Sequence, residues 1–180
     1  MSTRNLVADK LLWEKLGRWK RSSSELDRIQ FLKTVPFFDQ LSKRQLKRVS
    51  DIIFERTYDI DESIFEEGQP GAAMFLILDG KVAIEICRET STTQLAVLEK
   101  GAFFGEMALL DDTPRSANAR ALERTRTLAL YRNDLTGLRH RHARTACQIY
   151  RSLATMIGDR LRATNKLVQM KTPADTPGLE

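Results

Sequence analysis

Apolar side chains fall at steps of three and four near both ends of this 180-residue chain, and in short strand-like runs between them. Leu6, Leu12, Leu16 and Trp19 lie near one face of a helix whose other positions include Lys10, Lys15, Arg18, Lys20 and Arg21. Ser22-Ser23-Ser24 interrupts it. Ser24, with Asp27 three residues on, predicts the start of a second helix, because a serine oxygen accepts from a backbone N–H that the first turn leaves unpaired. That helix should cover 25–33 and stop ahead of Pro36. Ser42-Lys43-Arg44-Gln45 is a capping-box pattern and opens a short helix to about residue 52, with Leu46 and Val49 facing inward.

From residue 53 to 131 the texture changes. β-prone runs at 53–58, 63–65, 74–78, 82–87, 95–98, 117–121 and 127–131 are separated by turn residues. Asp79-Gly80 lies between two of them and supplies the positive φ of a tight hairpin. Short strands at this spacing predict a small barrel or roll. Helical spacing then returns. Asn133 is placed to cap a short helix ending near 140, and a long helix follows over about 143–170. Ala143, Ala146, Tyr150, Leu153, Ile157, Leu161, Thr164 and Val168 form a heptad-like stripe along it. Pro173, Pro177 and Gly178 predict a flexible tail over 171–180.

Hydrophobic residues make up 42% of the chain, enough for one domain core at this length, and 29% are charged. The net charge is +5, with the excess at the two ends: residues 132–180 hold nine basic and four acidic side chains. Such a basic helix is a solvated face or an attractor of nucleic acid or anionic lipid. Two cysteines and two histidines are too few for an iron–sulfur cluster or a zinc ribbon, and no metal is expected. Cys87 and Cys147 read as reduced thiols. The charged N-terminus is unlike a secretory signal, and no run of about 18 apolar residues exists to span a membrane. These features predict a cytoplasmic protein.

The stretch Phe103-Phe104-Gly105-Glu106-Met107-Ala108-Leu109-Leu110-Asp111-Asp112-Thr113-Pro114-Arg115-Ser116-Ala117 carries the chemistry. Gly105 permits close backbone approach. Residues 106–110 make about one helical turn, whose N-terminal N–H groups suit an anion. The turn through Pro114 brings back Arg115, and its planar fork suits a phosphate. A carboxylate beside a phosphate site makes sense if the ligand also donates a hydroxyl, as a ribose does. Anion plus ribose hydroxyl points to a nucleotide.

This run resembles the phosphate-binding cassette of cyclic nucleotide-binding domains, the family of catabolite activators and protein kinase A regulatory subunits. Ile64-Phe65-Glu66-Glu67-Gly68-Gln69-Pro70-Gly71 and Phe75-Leu76-Ile77-Leu78-Asp79-Gly80-Lys81-Val82 are similar to the family's turn and hairpin, so the likeness covers about residues 35–168. It implies an α+β fold: an eight-stranded antiparallel β-roll, jelly-roll-like, with N-terminal helices and C-terminal hinge and lid helices. The organisation implied is a helical extension over 1–33, a roll over 34–141 with its cassette at 103–117, and a lid and dimerisation helix over 142–170. By the resemblance Glu106 takes the ribose 2′-OH and Arg115 the exocyclic phosphate oxygens. Phe104, Gly105, Met107 and Ala108 complete the cradle, with Ser116 and Ala117 after the arginine. Ser116 is similar to the residue of cAMP-binding members, where threonine favours cGMP. Asn118 departs from the family's usual serine, threonine or bulky residue. Asp159-Arg160-Leu161-Arg162-Ala163-Thr164-Asn165-Lys166 resembles the lid segment that meets adenine, with Thr164 and Asn165 in the contacting positions or, as an alternative, on the seam and in solvent.

The expected function is a stand-alone receptor for cAMP, or else cGMP, that passes a conformational change to an effector protein. Phosphate would draw Arg115 and the cassette inward, the short helix would move, and the lid would close, exposing or hiding the helices that carry Trp13 and Trp19. The stripe predicts a homodimer through the C-terminal helix. No recognition helix follows the lid, so sequence-specific DNA binding is not expected. No P-loop or nucleophile–base arrangement is present, so no catalysis is expected. The competing readings are a roll that kept its fold and serves as a ligand-free dimerisation scaffold, and a DNA-binding regulator using its basic helix.

Overall fold

The computed structural model describes residues 25–171. The helix expected before Ser24, that serine's capping role and the tail from 172 onward lie outside them. Eight antiparallel strands form the body: β1 Ile53–Tyr58, β2 Ser63–Phe65, β3 Ala73–Asp79, β4 Lys81–Arg88, β5 Ser91–Glu99, β6 Phe103–Phe104, β7 Asn118–Ala121 and β8 Thr125–Tyr131. They make two four-stranded sheets in the orders β1-β8-β3-β6 and β2-β7-β4-β5. With helices on both sides of this body in sequence, the α+β roll expected above is the fold observed.

The unbroken apolar run Ala73-Met74-Phe75-Leu76-Ile77 is a strand because both of its faces are covered. Successive side chains point to opposite faces. Ala73, Phe75 and Ile77 pack between the sheets with Tyr58, Ile64, Val82, Phe104, Ala119 and Ala129. Met74 and Leu76 point the other way, into a helical cluster that also takes Leu128 and Leu130 from β8. β8 pairs with both β1 and β3, so the sheet is continuous under the helices.

Two strands differ from expectation. β5 begins at Ser91, four residues before the apolar run, because its ladder with β4 from Lys81↔Glu99 to Arg88↔Ser91 needs backbone groups and no apolar side chain. β6 is only two residues long and pairs with β3 through Phe75↔Phe104. Gly80 joins β3 to β4 with φ +96°, and a Cβ there would lie 2.5 Å from Thr125 Oγ1.

The helices are α1 Glu25–Thr34, α2 Lys43–Ser50, α3 Arg132–Arg141 and α4 Ala143–Lys171, with a 3-10 turn at Pro36–Phe38. Pro36 therefore starts a turn as well as ending α1. The capping box on α2 is present: Ser42 Oγ accepts from Gln45 N–H, and Gln45 Oε1 accepts from Ser42 N–H. Leu46 and Val49 are fully buried, as their spacing requires. α3 starts two residues earlier than expected, at Arg132 with Tyr131 in the cap position. Asn133 is not its cap; the chain enters α3 directly from β8, and the Arg132 N–H donates to Ala72 O at 2.9 Å, so a tertiary carbonyl does the work of a capping side chain.

Leu32, Phe38, Leu46, Leu135, Leu138, Ala146, Ile149 and Leu153 close one cluster against β3 and β8. Half of the α4 stripe is thus spent inside the monomer. Tyr150 and Ile157 pack at its edge, while Leu161 is 60% exposed.

Candidate functional site

The cassette leaves β6 through Gly105, which has φ +70°. That conformation costs a residue with a Cβ, and here space forbids one as well: a Cβ would lie 2.6 Å from Arg115 Nη1 and 3.3 Å from Phe65 Cε1. Glu106–Leu109 then forms the single 3-10 turn. Ala108 and Leu109 face the core, Met107 faces out, and the Glu106 carboxylate is largely buried.

Arg115 returns beneath this turn. Its Nη1 donates to Gly105 O at 3.1 Å and its Nη2 to Ala73 O at 2.8 Å. The guanidinium lies 4.0 Å from the Phe65 ring centroid and 5.9 Å from that of Phe75, so two π faces steady its position. Its Nε–H is buried without a hydrogen-bond partner. Burial pulls the group down to about 10, against the opposing pull of Tyr58 and Glu106, so it remains a cation at neutral pH. The backbone around it is tied to the β2–β3 turn: Gly68 N–H donates to Arg115 O at 2.8 Å and Arg115 N–H to Gln69 O at 2.9 Å. Asn118 has a role there. Its Oδ1 accepts from Glu67 N–H at 2.8 Å, holding the same turn.

These groups line a cavity of about 500 Å³ between the two sheets' edges and α4. Phe104, Gly105, Glu106, Met107, Ala108, Arg115, Ser116 and Ala117 all border it, so eight of the ten residues expected at the site converge. Ile84, Ala96 and Leu98 supply an apolar wall. The size falls within the ~300–1,000 Å³ of small-molecule pockets. A cation, a carboxylate, a buried unpartnered donor and an apolar wall fit an anionic ligand with a hydroxyl and a flat apolar part.

Thr164 and Asn165 are not brought to this cavity. Both are exposed, and the Thr164 hydroxyl donates to Arg160 O at 3.0 Å along its own helix. The α4 residue at the cavity is Arg160, one turn earlier, ion-paired to Glu106 and 5.1 Å from the Phe103 ring centroid. Sequence reading missed it, together with Phe65 as the support of Arg115. Arg160 stands four residues before Thr164, one helical turn, so its only signal was the register of α4. Among the described residues no group of three or more His, Cys, Asp or Glu is placed to hold a metal, and none of the helices is long and apolar enough to cross a membrane.

The fold is a roll of the kind that cyclic nucleotide-binding domains have. Residues 55–142 match the family model described as Cyclic nucleotide-binding domain, and over that span the chain belongs to this family. It is 35% identical over 134 residues to a Cyclic AMP receptor protein of Thermus thermophilus, covering 73% of this chain and 59% of that protein. It is 27% identical over 161 residues to a cAMP-dependent protein kinase regulatory subunit of Mycosarcoma maydis, covering 82% of this chain and 31% of that one. The chain therefore spans less than two thirds of either relative. A crystal structure of a cyclic nucleotide-binding domain from Methylobacillus flagellatus superposes with a TM-score of 0.71 at 22% identity, covering 85% of this chain and 86% of that one.

Proposed function

We propose that this chain is a cyclic-nucleotide receptor that binds cAMP, with cGMP second, and regulates an effector protein by a conformational change rather than by catalysis. The observation that carries this reading is Arg115: a half-buried guanidinium, clamped over Phe65, with a buried unpartnered Nε–H, beside Glu106 in a cavity of ligand size. Arg115 would take the phosphate oxygens and Glu106 the ribose hydroxyl. The base would lie against Ile84, Ala96 and Leu98. Ser116 beside the cavity supports cAMP. Arg160 offers only donors, which suit acceptors on a purine edge and keep cGMP as the comparator.

Closure of α4 over the base, a homodimer through its exposed half and a cytoplasmic location belong to the same proposal. The test is calorimetric titration with cAMP and cGMP beside Arg115→Ala. Losing a desolvated charge-assisted contact costs roughly 2–5 kcal/mol, about 30- to several-thousand-fold in affinity. Micromolar or tighter binding that the variant abolishes supports the receptor.

One arrangement favours the ligand-free scaffold. Arg115 already donates to two carbonyls and Glu106 already has Arg160, so much of the site is satisfied internally. Failure of both nucleotides to bind protein freed of co-purified ligand would select that reading.

A further inference from the structure

We infer that Arg132, the first residue of α3, is the positioning residue that couples the nucleotide cassette to the C-terminal helices. The inference deepens the receptor reading and rests on it for its ligand arm.

Arg132 ties two other chain segments to the start of α3. Nη1 donates to Asp111 O in the turn that leaves the cassette. Nη2 donates to Gly71 O at 3.1 Å, in the loop between β2 and β3, and pairs with the Asp112 carboxylate. The Arg132 backbone N–H donates to Ala72 O at 2.9 Å. The Arg132 side chain is only 22% exposed, whereas Asp112 is 93% exposed, so the acid is recruited from solvent to a cation held by backbone.

The cassette's exit is stiff where Arg132 grips it. Thr113 N–H donates to Asp111 Oδ1 at 3.0 Å, and Pro114 bridges to Pro70. Arg115 follows immediately, so the span between phosphate-binding cation and strut is a constrained turn. On the other side Arg132 opens α3, whose Leu135 and Leu138 are fully buried beside Leu109 of the cassette and Ala146, Ile149 and Leu153 of α4. A displacement of the cassette therefore reaches α3 by two routes, the apolar contact at Leu109 and the polar strut at Arg132. The polar route has direction: a planar fork satisfies carbonyls on two segments at once, which neither lysine nor glutamine reproduces. Arg132 and Arg115 also repel each other as like charges, so an anion settling on Arg115 alters the balance at the strut.

The test compares wild type with Arg132→Gln and Asp112→Asn by hydrogen exchange and calorimetry. In ligand-free protein, Arg132→Gln should raise amide exchange of residues 110–113 and of the first turn of α3 together, by about tenfold or more, and leave the β4–β5 hairpin unchanged. Asp112→Asn, at an exposed position that folding does not need, should do the same to a smaller extent. Opening of only one of the two segments overturns the inference, and this arm needs no nucleotide. With saturating cAMP, wild type should change exchange in both the cassette and the exposed half of α4. Arg132→Gln should still bind and still protect the cassette while losing most of the α4 response. A full α4 response in Arg132→Gln overturns the coupling role. Absence of cAMP and cGMP binding in wild type overturns the receptor reading instead, and the ligand-free arm then decides the strut alone.

Discussion

Arg160 of α4 pairs with Glu106 across the edge of the cavity, joining the last helix to the cassette over 54 positions of sequence. Glu106 has a side chain only 9% exposed and Arg160 one 51% exposed. The pair thus sits at the boundary between a surface contact, worth little, and a buried one whose breaking strands a charge. Arg160→Ala should lower stability by about 1 kcal/mol after solvent screening, a fall in Tm of about 2–4 °C. In a Glu106→Gln background the same change should cost almost nothing further. Additive losses would show that the two side chains act separately.

Arg160 also occupies the carboxylate that the receptor reading assigns to ribose. A ligand hydroxyl must then share or displace it, so Arg160→Ala should alter nucleotide affinity without removing it, whereas Glu106→Gln should weaken it in either background. Calorimetry on the four proteins of the cycle checks this. Unchanged affinity in Glu106→Gln would take Glu106 out of the site.

Gly105→Ala tests the cradle from beneath. The new methyl would stand 2.6 Å from Arg115 Nη1 in a backbone with positive φ, so the guanidinium must leave its place over Phe65. The strain itself is about 1 kcal/mol, which a folded domain survives. Nucleotide affinity should fall at least about tenfold while the circular dichroism spectrum stays native. Retained affinity would mean that Arg115 does not need this position.

Phe65→Leu separates the aromatic clamp from mere filling. Leucine keeps most of the apolar bulk and lacks the π face that lies 4.0 Å from Arg115. A cation–π contact is worth roughly 0.5–2 kcal/mol, so affinity should drop about 2- to 30-fold, with Phe65→Tyr close to wild type. Equal losses in both variants would make Phe65 a packing residue only.

The local elements were legible because their signals are local. Ser42 and Gln45 cap α2 in sequence and in space, and Gly80 turns a hairpin because only glycine fits against Thr125. The cassette was legible for the same reason: Gly105, Glu106 and Arg115 lie within eleven positions and fold back on themselves. Contacts between distant segments were not. Whether Arg160 or Thr164 faces the cavity depends on the angle at which α4 leaves α3, and no periodicity encodes that. The stripe on α4 was legible as apolar, but its division between an internal core at Ala146 and Leu153 and an exposed remainder at Leu161 follows from where α3 and the Pro36–Phe38 turn pack against it. Asn133 looked like a cap because the carbonyl of Ala72 that serves α3 comes from another strand's approach.

Leu161 is the largest exposed apolar group described on α4. If the proposed homodimer uses this half of the helix, Leu161→Glu should shift the mass from dimer to monomer by light scattering at tens of micromolar. It should leave Tm in the dilute limit unchanged, since Leu161 buries little in the monomer. A monomeric wild type at that concentration would remove the dimer from the proposal.

His142, at the joint between α3 and α4, sits in a one-sided field. Partial burial and then the guanidiniums of Arg48, Arg141 and Arg44 hold its imidazole below the ordinary histidine range. The folded state therefore prefers the neutral ring. Its contribution to stability is intact above the unfolded value of about 6.5 and is lost as pH falls through the lower folded value. Wild type should lose more thermal stability on acidification across that window than His142→Gln. Arg44→Gln, which removes one exposed cation from α2, should move the imidazole titration upward in an NMR titration of the chain's two histidines. A titration already at the ordinary value in wild type would mean that the arginines are neutralised by a bound anion or screened by solvent, and the joint between the hinge and lid helices would then carry no pH sensitivity of its own.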